Sequence, residues 1–197
     1  DVWFAHLVEC EPDEVRLLAE TGTAMAHCPQ ANWRLGSGVA PASMLDELGG
    51  IVSLAVDGAA ANEAADMVSA MYAAFSVHRA VRGVSATTAE GVLRWATAGG
   101  ARALGYDDIG TIEVGNLADL AIFDLSDPRY FGQHDRVIGP VISGGGARLR
   151  HSFVAGLPVV ENYALPWLDM EQLAADARRV VERIARNETR EKARVGI

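Results

Sequence analysis

Three times in its first third, this chain runs through an apolar stretch that stops at a residue able to do chemistry. Val2-Trp-Phe-Ala leads into His6, Thr23-Ala-Met-Ala into His27, and Ile51-Val-Ser-Leu-Ala-Val into Asp57. Strands that are apolar throughout belong to parallel sheets covered on both faces, whereas a half-exposed antiparallel strand alternates. The intervening segments carry helix punctuation. In Glu11-Pro-Asp-Glu-Val-Arg-Leu-Leu-Ala-Glu-Thr-Gly22, Pro12 suits a first turn, acidic residues favour the N-terminus, and Gly22 supplies a left-handed stop. A loop rich in Gly, Pro and Ser follows His27, and a short helix over 42–48 precedes Gly49-Gly50. Met67, Ala70, Met71, Ala74, Val77 and Val81 recur at helical spacing and predict a long amphipathic helix. Thr87-Thr-Ala-Glu90 reads as a capping box opening one more helix, which runs to Leu104 with Gly105 as its stop. Such alternation predicts parallel strands joined by right-handed crossovers.

After Gly105 the pattern shortens. Gly110-Thr-Ile, Ala118-Asp-Leu-Ala-Ile-Phe, Val137-Ile-Gly-Pro-Val-Ile-Ser and the stretch 148–160 predict short antiparallel strands separated by Gly, Asn and Asp turns. Residues 169–190 predict a terminal helix with Leu173, Ala177, Val180, Val181 and Ile184 on one face. The fold class expected from the whole pattern is α/β.

Composition narrows the functions. Half of the 197 residues are hydrophobic, ample for a packed core, and the net charge of −9 argues against a nucleic-acid surface. The Arg-rich tail from Arg178 to Arg194 is interleaved with Glu182, Glu188 and Glu191 and reads as a solvated helix face. Cys10 and Cys28 are too few for a disulfide framework, so reduced thiols in a cytoplasmic protein are expected. No signal peptide is evident and no apolar run is long enough to span a bilayer, so no membrane partner is expected. Asp1 is not an initiator Met, and a core strand begins within two residues, which reads as the later part of a longer polypeptide.

Asp57 is the strongest candidate for chemistry. A carboxylate at the end of an apolar strand, followed by Gly58-Ala-Ala-Ala-Asn62, can ligate a metal and exchange protons with its water; it can equally cap the next helix. His6 shares that strand-end position, although a histidine beside aromatics is also a common core residue. His27-Cys-Pro-Gln-Ala-Asn32 is a polar cluster that either touches a ligand or braces a turn. Asn62 either hydrogen-bonds a substrate ring or caps a helix. His78 and His151 read as structural, and His134 lies in a loop without partner spacing. Asp107-Asp108, Asp124 and Asp127 read as turn residues. Gly144-Gly-Gly146 lacks the context of a phosphate loop, and no elbow motif of a serine hydrolase is present.

At these residues the chain resembles the amidohydrolase superfamily, in particular its aromatic-amine deaminases. The matching segments are Trp3-Phe-Ala-His6, Ala26-His-Cys-Pro-Gln-Ala-Asn32 with Arg34-Leu-Gly-Ser-Gly38, and Val56-Asp-Gly-Ala-Ala-Ala-Asn-Glu63. Ala98-Gly-Gly-Ala-Arg-Ala-Leu-Gly105 and Gly110-Thr-Ile-Glu-Val-Gly-Asn-Leu-Ala-Asp-Leu120 continue the match. Asn62-Glu-Ala-Ala-Asp-Met67 and the stretch 127–140 are most similar to isoxanthopterin deaminases, and the chain is also similar to 8-oxoguanine deaminases. The resemblance implies the C-terminal part of a distorted (β/α)8 TIM-type barrel followed by β-sandwich strands. Residues 1–105 would supply barrel strands six to eight, residues 106–165 the returning sandwich strands, and residues 166–197 the C-terminal helix.

It further implies one divalent metal, usually zinc, held by three histidines from earlier strands and by Asp57, the only one of those ligands in this chain. His6 would orient the reacting group, Asp57 would exchange protons with the attacking water and the departing amine, and a ring-protonating Glu would come from upstream. Asn62, Asn32 and His27 are the candidates for contacting a small heterocyclic substrate. Ala61 and Ala31 stand where the family usually has Ser, and each swap removes a hydroxyl. The expected activity is hydrolytic deamination of a pterin or purine-like ring in a homo-oligomeric full-length enzyme. The alternatives are a triazine hydrolase of the same superfamily and a non-catalytic fragment. An isolated chain is expected to be inactive, to bind no stoichiometric zinc, and to associate through its open strand edge.

Overall fold

The computed structural model describes residues 2–62, 64–144 and 146–195. Glu63, Gly145 and the side chains of Glu188, Glu191, Arg190 and Arg194 therefore lie outside the described residues.

The first half builds a parallel sheet. Its elements are β1 (Trp3–Ala5), α1 (Pro12–Thr21), β2 (Ala24–His27), α2 (Pro29–Arg34), α3 (Ala42–Glu47), β3 (Val52–Leu54), α4 (Ala59–Asn62), α5 (Met67–Arg82), α6 (Ala89–Trp95) and α7 (Ala98–Leu104). The strand order is β1-β2-β3, all parallel, with Trp3 paired to Ala24 and Met25 to Val52. The punctuation behaves as its chemistry requires. Pro12 opens α1, Glu11 and Glu14 form a reciprocal capping box, and Gly22 ends the helix at φ 67°. Asp66 caps α5 by accepting from the backbone N–H groups of Val68 and Ser69.

The core lies between this sheet and its helices. Val15, Met25, Leu45, Val52, Val92 and Trp95 are almost wholly excluded from solvent there. Two glycines permit the closest approaches: a Cβ on Gly99 would sit 2.1 Å from the Val52 carbonyl oxygen, and one on Gly50 would sit 2.3 Å from Leu45 Cδ1. Gly99 is what lets α7 lie directly on β3.

The second half holds β4 (Leu120–Asp124), a 3-10 turn (Pro128–Tyr130), α8 (Gly139–Ile142), β5 (Arg148–Val154), β6 (Leu157–Val160) and α9 (Met170–Val195). The strands β4-β5-β6 form an antiparallel sheet. The β5–β6 hairpin turns through Ala155 and Gly156, both at positive φ (48° and 78°), as a tight two-residue turn with right-handed strand twist demands.

Several sequence expectations change. The helix expected from Thr87 to Leu104 is two helices, broken where Thr97 leaves helical geometry (φ −127°, ψ −94°). Its cap is Thr88, which accepts from Gly91 N, and not Thr87. The strand expected over 137–143 is the single-turn helix α8, because Pro140 has no N–H for a ladder and Val141 buries against the core instead. Gly110-Thr-Ile forms no strand, and Ile112 is 90% exposed. Most consequentially, β1 is exposed along its length, with Trp3 and Phe4 each about half accessible. Among the described residues it is an edge strand, paired with β2 on one side.

Candidate functional site

The carboxyl ends of the parallel strands converge on one open cleft. His6 follows β1 directly, and Asp57 follows β3 after a short apolar run, so both side chains leave the sheet at the same rim. His6 Nε2 lies 3.7 Å from Asp57 Oδ2, both side chains are partly exposed, and both line a cleft of about 640 Å³. That volume is in the range that small-molecule sites occupy. Leu7, Val8 and Leu35 give the cleft an apolar wall, and Glu9 and Glu14 stand at its outer side.

The backbone here is unusual. His6, Leu7 and Asp57 all adopt left-handed conformations (φ 65°, 54° and 62°), which non-glycine residues visit rarely and at a cost. Local hydrogen bonds hold them there. His6 N donates to Ala26 O (3.0 Å), and Gly58 N donates to Asp57 Oδ1 (2.7 Å), leaving Oδ2 toward the imidazole.

The other sequence candidates separate into two groups. Asn32 lines the cleft, and its Oδ1 lies 2.8 Å from His6 Nδ1. Asn62 is buried and spent on its own loop: Nδ2 donates to Val56 O, and Oδ1 accepts from Ala65 N (2.8 Å). The helix that follows, α5, is capped by Asp66 and not by Asn62. His27 is 1% exposed and is not part of the cleft wall; its Nε2 lies 3.1 Å from His78 Nε2. The ring of Trp95 closes edge-on over both imidazoles.

Sequence reading missed this His27–His78 pair, although a signal existed: His78 falls on the Met71–Ala74 face of α5, which is buried. Burial, reinforced by the neighbouring charges of His78 and His6, pulls His27 down to about 3. Burial, then the Arg82 guanidinium, pulls His78 down to about 4. Both rings are thus neutral near pH 7.

Cys28 lies behind the pair of cleft residues. Burial, then the Asp57 carboxylate, pushes its thiol up to about 11, so it remains protonated and is a poor metal ligand. Among the described residues no group of three or more His, Cys, Asp or Glu is arranged to hold a metal ion. Catalytic zinc takes three protein ligands. Asp57 and His6 therefore fit as one wall of a metal centre and do not form one by themselves.

Parallel strands joined by helices, with an imidazole and a carboxylate meeting at their carboxyl ends, make this an α/β protein with an open cleft at the sheet rim. The chain belongs to the amidohydrolase family, whose sequence profile matches residues 1–148. It is 47% identical to an isoxanthopterin deaminase from an unknown prokaryotic organism, over 94% of this chain and 42% of that protein. It is 38% identical to an 8-oxoguanine deaminase of Pseudomonas aeruginosa, over 88% of this chain and 38% of the relative. Among solved structures, an adenosine deaminase from Xanthomonas campestris with bound zinc superposes with a TM-score of 0.89 at 35% identity, covering 93% of this chain and 42% of its own. Atrazine chlorohydrolase from Arthrobacter aurescens TC1, complexed with zinc, gives 0.85 at 31% identity, with 91% and 40% covered. The chain thus spans about two fifths of the length of the relatives it matches.

Proposed function

We propose that this chain is the proton-handling part of a metal-dependent hydrolase that deaminates a pterin or purine-like ring, of isoxanthopterin or 8-oxoguanine type. The observation that carries the reading is the 3.7 Å approach of His6 and Asp57 at the cleft mouth, in a chain 47% identical to an isoxanthopterin deaminase. In this reading residues 1–105 are three consecutive βα units of a distorted barrel, and residues 106–165 belong to a β-sandwich. The parallel order β1-β2-β3 and the separate antiparallel sheet support that division.

Zinc, bound with ligands additional to Asp57, would supply a water acidified far below its ordinary value, toward neutrality. The residues of this chain do the rest. Asp57 Oδ2 takes a proton from the attacking water and returns it to the departing amine, which leaves as ammonia while the carbon that bore it becomes a carbonyl. His6 Nε2 faces the same cleft and orients the reacting group as the tetrahedral centre develops. The apolar wall of Leu7, Val8 and Leu35 suits the face of a flat heterocycle. A triazine hydrolase is the second reading, supported by the atrazine chlorohydrolase likeness at 31% identity.

Ammonia release from isoxanthopterin, 8-oxoguanine and an aminotriazine by the complete enzyme tests the choice. Turnover of the bicyclic substrates is expected, and Asp57→Asn should lower kcat by ~10²–10⁴-fold. Release from the triazine alone would overturn the deaminase reading, and an unaffected Asp57→Asn enzyme would overturn the assigned role.

A further inference from the structure

We propose that Asn32 is a positioning residue that fixes the orientation and the tautomer of the His6 ring, with its hydrogen on Nδ1 and Nε2 turned to the cleft side. His6 Nδ1 lies 2.8 Å from Asn32 Oδ1. An amide oxygen only accepts, so the shared hydrogen belongs to Nδ1. A neutral imidazole carries one N–H, which leaves the lone pair on Nε2, facing Asp57 Oδ2 at 3.7 Å.

Two independent features support a dedicated role for the amide. The first is rigidity. Asn32 is 2% exposed and sits in α2, which starts two residues after β2 ends; its N–H donates to Cys28 O (3.0 Å) and its carbonyl accepts from Ser37 N (2.9 Å). The oxygen is therefore carried on a short helix rather than on a loop. The second is an unmade bond. Asn32 Nδ2 is buried with no hydrogen-bond partner among the described residues, a desolvation cost that a leucine of similar branched shape would avoid. Stability alone thus disfavours an amide here, and the one bond that this amide makes goes to His6.

The inference rests on the proposed deaminase for what Nε2 meets in the cleft, but not for the tautomer, and the experiment keeps these apart. Long-range 1H–15N correlation spectra of the 15N-labelled 197-residue chain report which His6 nitrogen carries the hydrogen. A pyrrole-type Nδ1 and a pyridine-type Nε2 are expected; the opposite pattern overturns the proposal. Asn32→Leu should invert the pattern toward the Nε2–H form that free imidazole side chains prefer in water, and Asn32→Asp, which keeps an acceptor, should retain Nδ1–H. An unchanged tautomer in Asn32→Leu overturns the proposal as well. Should that variant fail to fold by circular dichroism, the unmodified chain and Asn32→Asp decide. In the complete enzyme Asn32→Leu should lower kcat more than KM, with partial recovery in Asn32→Asp. A Nδ1–H ring in an enzyme that releases no ammonia would sink the proposed function and leave the Asn32–His6 assignment standing.

Discussion

At the scale of single residues the chain shows two kinds of histidine. His6 is partly exposed and strained at the cleft, whereas His27 and His78 are sealed together beneath it. The sealed pair predicts a pH dependence of stability. In the unfolded chain both imidazoles titrate near 6.5, but folding lowers them to about 3 and about 4. Above pH 6.5 both are neutral in either state, and their contribution is fully present. As pH falls from there toward 4, the unfolded chain binds protons that the folded chain refuses, and stability declines. The slope approaches ~1.4 kcal/mol per pH unit for each proton withheld. Urea unfolding between pH 7.5 and 4.5 should show the decline, and His78→Leu should flatten it. A flat profile would mean that the pair takes up protons without unfolding. The sequence could place His6 and Asp57 together because each simply ends a strand. It could not pair His6 with Asn32 or His27 with His78, since those contacts depend on how α2 and α5 pack on the sheet.

At the scale of elements, apolar runs and caps were legible wherever local chemistry decides. Glu11, Pro12 and Gly22 bound α1 as their types require, and the periodicity of α5 spans the observed helix. Local signals failed where packing overrides them. Residues 137–143 have strand-like composition, but Val141 finds its burial as part of one helical turn. The run from Ala89 to Leu104 has helical composition throughout, yet the chain must turn at Thr97 for α7 to reach β3. That turn depends on Gly99, whose missing side chain lets the backbone of Val52 approach. Gly99→Ala is ordinarily a favourable helix substitution; here it should destabilise by about 1–3 kcal/mol, because the added methyl overpacks against backbone that has nowhere to move. Gly83→Ala, at positive φ with open space around it, serves as the contrast: any loss there comes from backbone strain and not from packing. Thermal melts of both variants measure the difference, and a stabilised Gly99→Ala chain would show that α7 slides freely over β3.

At the scale of the molecule, what the sequence encodes and what the described residues bury part company at β1. Its residues have the composition of a strand covered on both sides, yet Val2, Trp3 and Phe4 are each about half exposed, and the backbone on the side away from β2 has no ladder partner among the described residues. The cleft tells the same story in chemical terms. Two polar groups converge where a metal site needs more, although relatives sharing this fold carry zinc in their solved structures. Both observations yield one testable consequence for the 197-residue chain. An apolar open strand edge templates association, so light scattering should show mass rising with concentration, and Phe4→Lys should suppress the rise by placing a charge on that edge. Metal analysis of the same samples, after dialysis against zinc, should find far less than one ion per chain, since one carboxylate and one imidazole cannot match the three ligands of a catalytic site. A monodisperse monomer carrying one tightly held zinc would show that the chain completes both its sheet and its metal centre by itself. Association without zinc, cured by Phe4→Lys, would show that edge and cleft alike are built to be finished by neighbouring structure.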